Sequence, residues 1–476
     1  MNISNACRYA PKLLVAAIAA SMPGLAEDDL RLLDMVPFPN PSGFAATFSS
    51  VGSIDLTGPF FQSLGTNGRA CVSCHQAGDG WTVTPSHIRA RFDATDGTDP
   101  IFRTNDGSNS PDADVSTVEA RRAAYNMLLT KGLIRVGIGI PDNAEFELVA
   151  VDDPYGHASA KELSLFRRPL PATNLKFLST LMWDGRETFL DSASKDCILG
   201  TTKCFASMHF DLADQSNAAT VGHAQAVQPL SEAQREAIVS FETTLFTAQV
   251  FDHEAGELTA RGARGGPMYL SKQDSYFGIN DVVSNDYRTG ALFDRIVFGL
   301  YDAWDTLDRG GDHQGRAEAQ RAVARGQRLF NTKPISITGV KGLNDDLNIP
   351  TLQGTCTTCH DTPNAGNHSI PAPLDIGLTD ASRRTPDLPL YTLRHTQAPF
   401  ETVQTTDPGR ALITGKWKDV GRFKGPILRA LPTRAPYFHN GFASDLDAVV
   451  DFYNQRFSID FTDEEKADLV AFLRTL

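Results

Sequence analysis

A mainly α chain with long loops, divided into two modules, is the fold class that this sequence predicts. Three observations predict it. Stretches of helical apolar periodicity accompany two short Cys-x-x-Cys-His segments, the intervening chain is rich in Asp, Gly, Asn and Pro, and a Gly/Arg-rich run over Arg261–Pro267 reads as a linker. The chain has 476 residues, of which 41% are hydrophobic and 21% charged. That is enough apolar material for a packed core, which excludes disordered, collagen-like and small disulfide-scaffold classes. A formal net charge of −13 argues against a nucleic-acid binder, which would carry a basic face.

The elements follow in chain order. Residues 1–26 read as an export signal. Arg8 and Lys12 precede the apolar run Leu13–Ala20, and Gly24 and Ala26 are the small residues of a cleavage site. No later segment has the apolar length of a membrane span, so the mature chain is expected in the periplasm. Cys71, Cys74 and His75 form the first Cys-x-x-Cys-His segment. Residues 76–115 read as loops. Asp93, Asp96, Asp99, Asp106, Asp112 and Asp114 match no EF-hand spacing there and read as a solvated surface. Residues 231–250 carry helical periodicity with Ser231 as N-cap, and a further helix from Ala317 to Phe330 precedes the second segment, Cys356, Cys359 and His360. An amphipathic helix from about Asp463 closes the chain. Cys197 and Cys204 remain, and in an oxidising compartment they read as a small disulfide loop.

The paired segments carry the chemistry. Two cysteines one helical turn apart can form thioethers to the vinyl groups of one haem, and the adjacent histidine then offers a ring nitrogen to the iron. A lone Cys-x-x-Cys would leave a redox dithiol or half a zinc site open. Two copies, each followed directly by histidine in a chain with an export signal, point to two covalently bound c-type haems, held at Cys71, Cys74 and His75 and at Cys356, Cys359 and His360. Two cytochrome c-like haem domains are therefore expected, over 27–255 and 256–476.

These two segments flank Met182-Trp183-Asp184-Gly185-Arg186, and Gly421–Leu428 (GRFKGPIL) and Ala435–Gly441 (APYFHNG) follow the second of them. In that order the motifs resemble the bacterial di-haem cytochrome c peroxidase superfamily, which includes the MauG-type enzymes that oxidise a protein substrate. The resemblance covers nearly all of the mature chain. It implies that the N-terminal haem meets hydrogen peroxide, that the C-terminal haem relays electrons, and that Trp183 lies between them. Classical members place a methionine ligand eighteen residues after the alanine of the APYFH motif; that position here is Tyr453, and no methionine follows Met268. Tyrosine there is the MauG-type pattern, and its oxygen favours oxidised iron.

The distal side of the first haem departs from the family. Gln215 matches the family glutamine, whereas the Glu-Met pair that should follow is missing and His223 falls near its place. His223 is then a structural hydrogen-bonder, a distal acid–base group or an iron ligand, and the sequence leaves these open. His87 is a second candidate sixth ligand. Calcium between the haems is an open alternative: Arg167-Arg168-Pro169 puts a cation where the family has an asparagine, although the carbonyls of Arg434 and Pro436 could remain. His439 reads as a support group near a haem edge, and His368 as a loop hydrogen-bonder. The resemblance implies a periplasmic oxidoreductase that reduces peroxide with electrons from a cytochrome, a cupredoxin or a protein substrate, and a homodimer. A di-haem electron-transfer protein and an O2-using di-haem oxygenase are the alternatives.

Overall fold

Short antiparallel strands are threaded between the helices throughout the chain. The computed structural model describes residues 31–188, 208–307 and 315–476. Residues 1–26, read from sequence as an export signal, and Cys197 and Cys204, read as a disulfide, lie outside the described residues. Helix accounts for 31% and strand for 17%, so the fold is mixed α/β, and the mainly α expectation is corrected.

Besides the two-residue pair Arg31–Leu32 and Ile54–Asp55, the described strands are β1 (Pro37–Asn40), β2 (Gly43–Ser49), β3 (Ile134–Ile138), β4 (Phe146–Asp152), β5 (Leu163–Arg167), β6 (Leu245–Asp252), β7 (Gly256–Glu257), β8 (Ile335–Thr338), β9 (Thr351–Gly354), β10 (Leu390–His395) and β11 (Thr402–Thr405). They build sheets ordered β1-β2-β6-β7, β11-β10-β4, β3-β5 and β8-β9. The principal helices are α1 (Pro85–Thr95), α2 (Met208–Gly222), α3 (Glu232–Thr243), α4 (Arg316–Thr332), α5 (Leu446–Phe457) and α6 (Asp463–Leu473).

Two expectations fail for physical reasons. The helix read over 231–250 stops at Thr243, although Ser231 does cap it, with its side chain accepting from the Gln234 N–H. From Leu245 the run Leu-Phe-Thr-Ala-Gln-Val suits a pleated surface. It pairs with β2 from Ser49↔Leu245 to Gly43↔Asp252, a partner from the far end of the module. The stretch 76–115, read as loops, contains α1, whose Ile88 and Phe92 sit four apart on one buried face.

Helices α4 and α6 cross with their backbones nearly touching. A Cβ at Gly326 would fall 1.9 Å from the Asp468 carbonyl oxygen, so only glycine allows the approach. Beside it Arg325 grips the Asp468 carboxylate through bonds of 2.6 and 2.8 Å. A capping box between Thr462 and Glu465 starts α6 as the sequence indicated. Val323, Phe330, Leu469 and Phe472 bury their side chains at this crossing, each contributing about 1.5–3 kcal/mol.

Strand β4 lies in the first expected module and pairs with β10 from the second, from Leu390↔Asp152 to His395↔Phe146. The Gly/Arg run 261–267 is packed in part. A Cβ at Gly265 would meet the Leu258 carbonyl oxygen at 2.6 Å. Among the described residues no helix is long and apolar enough to cross a membrane.

Candidate functional site

Each Cys-x-x-Cys-His segment forms a single 3-10 turn, Cys71–Ser73 and Cys356–Thr358, and presents its side chains to a separate cavity. The cavities hold about 190 Å³ and 210 Å³. The first is lined by Cys71, Cys74 and His75, the second by Cys356, Cys359 and His360. Burial pushes the thiols of Cys71, Cys356 and Cys359 up to about 12. Reactive dithiols and thiolate metal sites depend on lowered values, so the surroundings favour neither. None of these four cysteines is in a disulfide.

Both histidines are oriented in the same way. His75 Nδ1 is 2.9 Å from the Trp81 carbonyl oxygen, and His360 Nδ1 is 2.6 Å from that of Gly366. With Nδ1–H donated to a carbonyl, each ring keeps its lone pair on Nε2. Burial lowers both imidazoles from their ordinary value, which keeps them neutral. Gly366 adopts φ +74, and a Cβ there would strike the Phe298 ring at 2.8 Å. An apolar cavity with two protonated thiols and an oriented, neutral imidazole on its wall fits a c-type haem, and both cavities have this set.

Helix α2 supplies another wall of the first cavity, through Gln215 and Thr220, and His223 follows at its end. His223 Nδ1 lies 2.5 Å from Asp106 Oδ2, and Asp106 also pairs with Arg69. Burial would raise the Asp106 carboxyl, but His223 and Arg69 outweigh it and hold the group below the usual carboxylate range. Asp106, read from sequence as part of a solvated surface, is in fact 5% exposed. Glu242 also lines this cavity, with Oε2 buried and unpartnered, and burial pushes its carboxyl up to about 8. Sequence reading passed over it, although its place four residues after buried Ile238 on α3 was a legible signal. His87 is not on this wall. It is largely exposed and pairs with Asp79 at 2.6 Å.

Tyr453 on α5 lines the second cavity beside Phe457. Burial raises its phenol, with Cys359 and Cys356 adding to the effect. His439 lies on the same wall, stacked on Phe423 at 4.0 Å, with its Nε2 buried and unpartnered. Burial lowers His439 to about 4, so it is neutral. His368, in the loop after the second Cys-x-x-Cys-His segment, is 6% exposed and reaches this cavity too.

Trp183, Lys424 and Pro426 line both cavities. Trp183 is anchored by its Nε1–H, which donates to the Arg168 carbonyl at 2.8 Å. Its neighbour Asp184 is fully buried and accepts from Arg167 at 2.5 Å, and Arg167 in turn takes Asp407 at 2.7 and 2.9 Å. Burial alone would raise Asp184, yet Arg167 and Arg186 bring it down to about 2. The calcium alternative fits poorly. The Arg168 guanidinium donates to the carbonyls of Val83, Lys131 and Arg434 at 2.7, 2.7 and 3.1 Å. A cationic side chain already satisfies the oxygen that calcium would need.

Comparison with known proteins points the same way over part of the chain. No family model matches. The chain is 30% identical over 233 residues to cytochrome-c peroxidase IdrP1 of Pseudomonas sp. (strain SCT), covering 44% of this chain and 54% of that one. It is 34% identical over 145 residues to cytochrome-c peroxidase IdrP2 of Denitromonas iodatirespirans, covering 28% and 38%. It is 36% identical over 80 residues to cytochrome c551 peroxidase of Nitrosomonas europaea, covering 16% and 24%. A solved MauG-like protein associated with microbial copper homeostasis aligns over 96% of this chain and 94% of that one, at 17% identity and a TM-score of 0.38, too low to carry an argument. The chain thus spans about half the length of the first curated relative, and the similarity is to cytochrome-c peroxidases.

Proposed function

We propose that this chain is a periplasmic di-haem c-type oxidoreductase that reduces hydrogen peroxide, with an export signal over 1–26 and haem domains over 27–255 and 256–476. The observation that carries the reading is the repeated donor set: two cavity-lining thiols and a carbonyl-oriented imidazole at each of two cavities that share Trp183. The names of its sequence relatives support the same activity.

Bound haem supplies the iron at which peroxide is reduced, and the protein supplies ligands, proton carriers and access. His75 and His360 offer Nε2 as proximal ligands. Gln215 and His223 face the substrate side of the first cavity. His223, held through Nδ1 by Asp106, is the group that moves a proton there. Trp183, between the cavities, is the route for electrons from the second site to the first. Tyr453, on the wall of the second cavity, would be a further residue holding the haem there. Arg168 takes the place of calcium. Electrons come from a cytochrome, a cupredoxin or a protein substrate, and the active form is a homodimer.

Haem loading tests the assignment directly. Full-length protein expressed with a haem c maturation system should carry two covalently bound haems by intact mass. The double variant Cys356→Ser/Cys359→Ser should carry one, and the double variant Cys71→Ser/Cys74→Ser the other. A wild-type chain of unmodified mass would refute the reading.

A further inference from the structure

Asp281, Asp361 and His368 meet inside the protein, and no part of the proposed haem chemistry uses them. One ligand atom from each lies within 4.8 Å of the others. The two aspartates are 0% exposed and the histidine 6%. A buried carboxylate is paired with a cation, ligates an ion or takes up a proton. Among the described residues no lysine or arginine pairs with either aspartate, and the only ionic partner in reach is His368.

The hydrogen bonding is incomplete in a particular direction. Ser369 satisfies Asp361, its N–H donating to Oδ1 at 2.6 Å and its hydroxyl to Oδ2 at 3.1 Å. Asp281 Oδ2 accepts the N–H groups of Ser284 and Val283 at 2.5 and 3.2 Å, while Oδ1 is buried and has no partner. His368 Nδ1 is also buried without a hydrogen bond, although it stands 3.1 Å from Asp361 Oδ2. His368 Nδ1 and Asp361 Oδ2, 3.1 Å apart, are close enough to serve as two ligands of one ion. A tetrahedral ion about 2.0–2.2 Å from each ligand sets neighbouring ligand atoms about 3.3–3.6 Å apart, so a small closing or opening of this cluster would seat it.

We propose that Asp281, Asp361 and His368 form a binding site for a divalent transition-metal ion, with zinc as the best-matched probe. Two carboxylate oxygens and one imidazole nitrogen neutralise a divalent charge, and the nitrogen favours zinc over calcium or magnesium. The ion would tie the turn around 281–286 to the segment 361–369 that follows the second Cys-x-x-Cys-His. It is a structural site, separate from the four cysteines, and does not rest on the haem reading.

The test uses full-length protein stripped with a chelator, equilibrated with zinc chloride, desalted and analysed for metals, so that haem iron and zinc are counted separately. Wild type should retain one zinc per chain, and zinc should raise its melting temperature, because an ion that binds only the folded state stabilises it. Asp281→Asn and His368→Ala should lose the retained zinc and the zinc-dependent rise. The control His209→Ala, which removes an exposed histidine paired only with Glu236, should keep both. A wild type that retains no zinc would leave the His368 charge to a proton and overturn the proposal. So would a folded Asp281→Asn variant that retains zinc as wild type does.

Discussion

Replacing His223 by alanine is expected to slow the reaction of the fully oxidised protein with hydrogen peroxide by about 10²–10⁴-fold, the usual contribution of a positioned acid–base group. The expectation comes from the side chain's surroundings. Nδ1 is held by Asp106 at 2.5 Å, Arg69 holds Asp106 in turn, and His223 lines the first cavity. The side chain is 41% exposed, which lets solvent replenish its proton. Asp106→Asn should reproduce part of the loss without changing haem content. The sign with pH follows from Asp106, whose folded value is depressed. Its orienting charge is fully present above the ordinary carboxylate value and is lost as pH falls through the lower folded one. Stopped-flow absorbance across pH measures this, and a wild-type rate in His223→Ala would remove the histidine from the proposed reaction.

Changing Tyr453 to methionine should raise the reduction potential of the second haem by on the order of 100 mV or more, since axial ligands tune haem potentials over a span of about 0.8 V. A tyrosine oxygen favours oxidised iron, and a methionine sulfur raises the potential. Tyr453 lines the second cavity from α5, and no methionine follows Met268 to compete for the position. Spectroelectrochemical titration reads both haems in one experiment. The first haem should keep its potential, and an unchanged second haem would show that Tyr453 is not its ligand.

The sequence disclosed the chemistry better than the architecture. Cys-x-x-Cys-His is local, so Cys71 to His75 and Cys356 to His360 were readable without a fold, and each segment does line a cavity of its own. The helices α4 and α6 were readable from their apolar periodicity. The strands were not, because their partners are remote: β6 is a strand on account of β2, and β4 on account of β10. A run such as Leu245–Val250 continues a helical pattern until that distant partner competes for it. Asp106 shows the same limit at the site. Six aspartates in a polar stretch look alike in sequence, and only the fold brings this one to Arg69 and His223. Asp361 and Asp281 had no signal at all, since their site exists only where two distant segments pack together.

The most direct measurement of the central claim mixes the all-ferric, doubly haem-loaded protein with hydrogen peroxide and follows haem absorbance by stopped flow. The account predicts a fast change, first order in peroxide, with no prior reduction. The absence of any reaction, in both the all-ferric and a half-reduced sample, would contradict it and leave electron transfer or oxygen chemistry as the function of the two cavities.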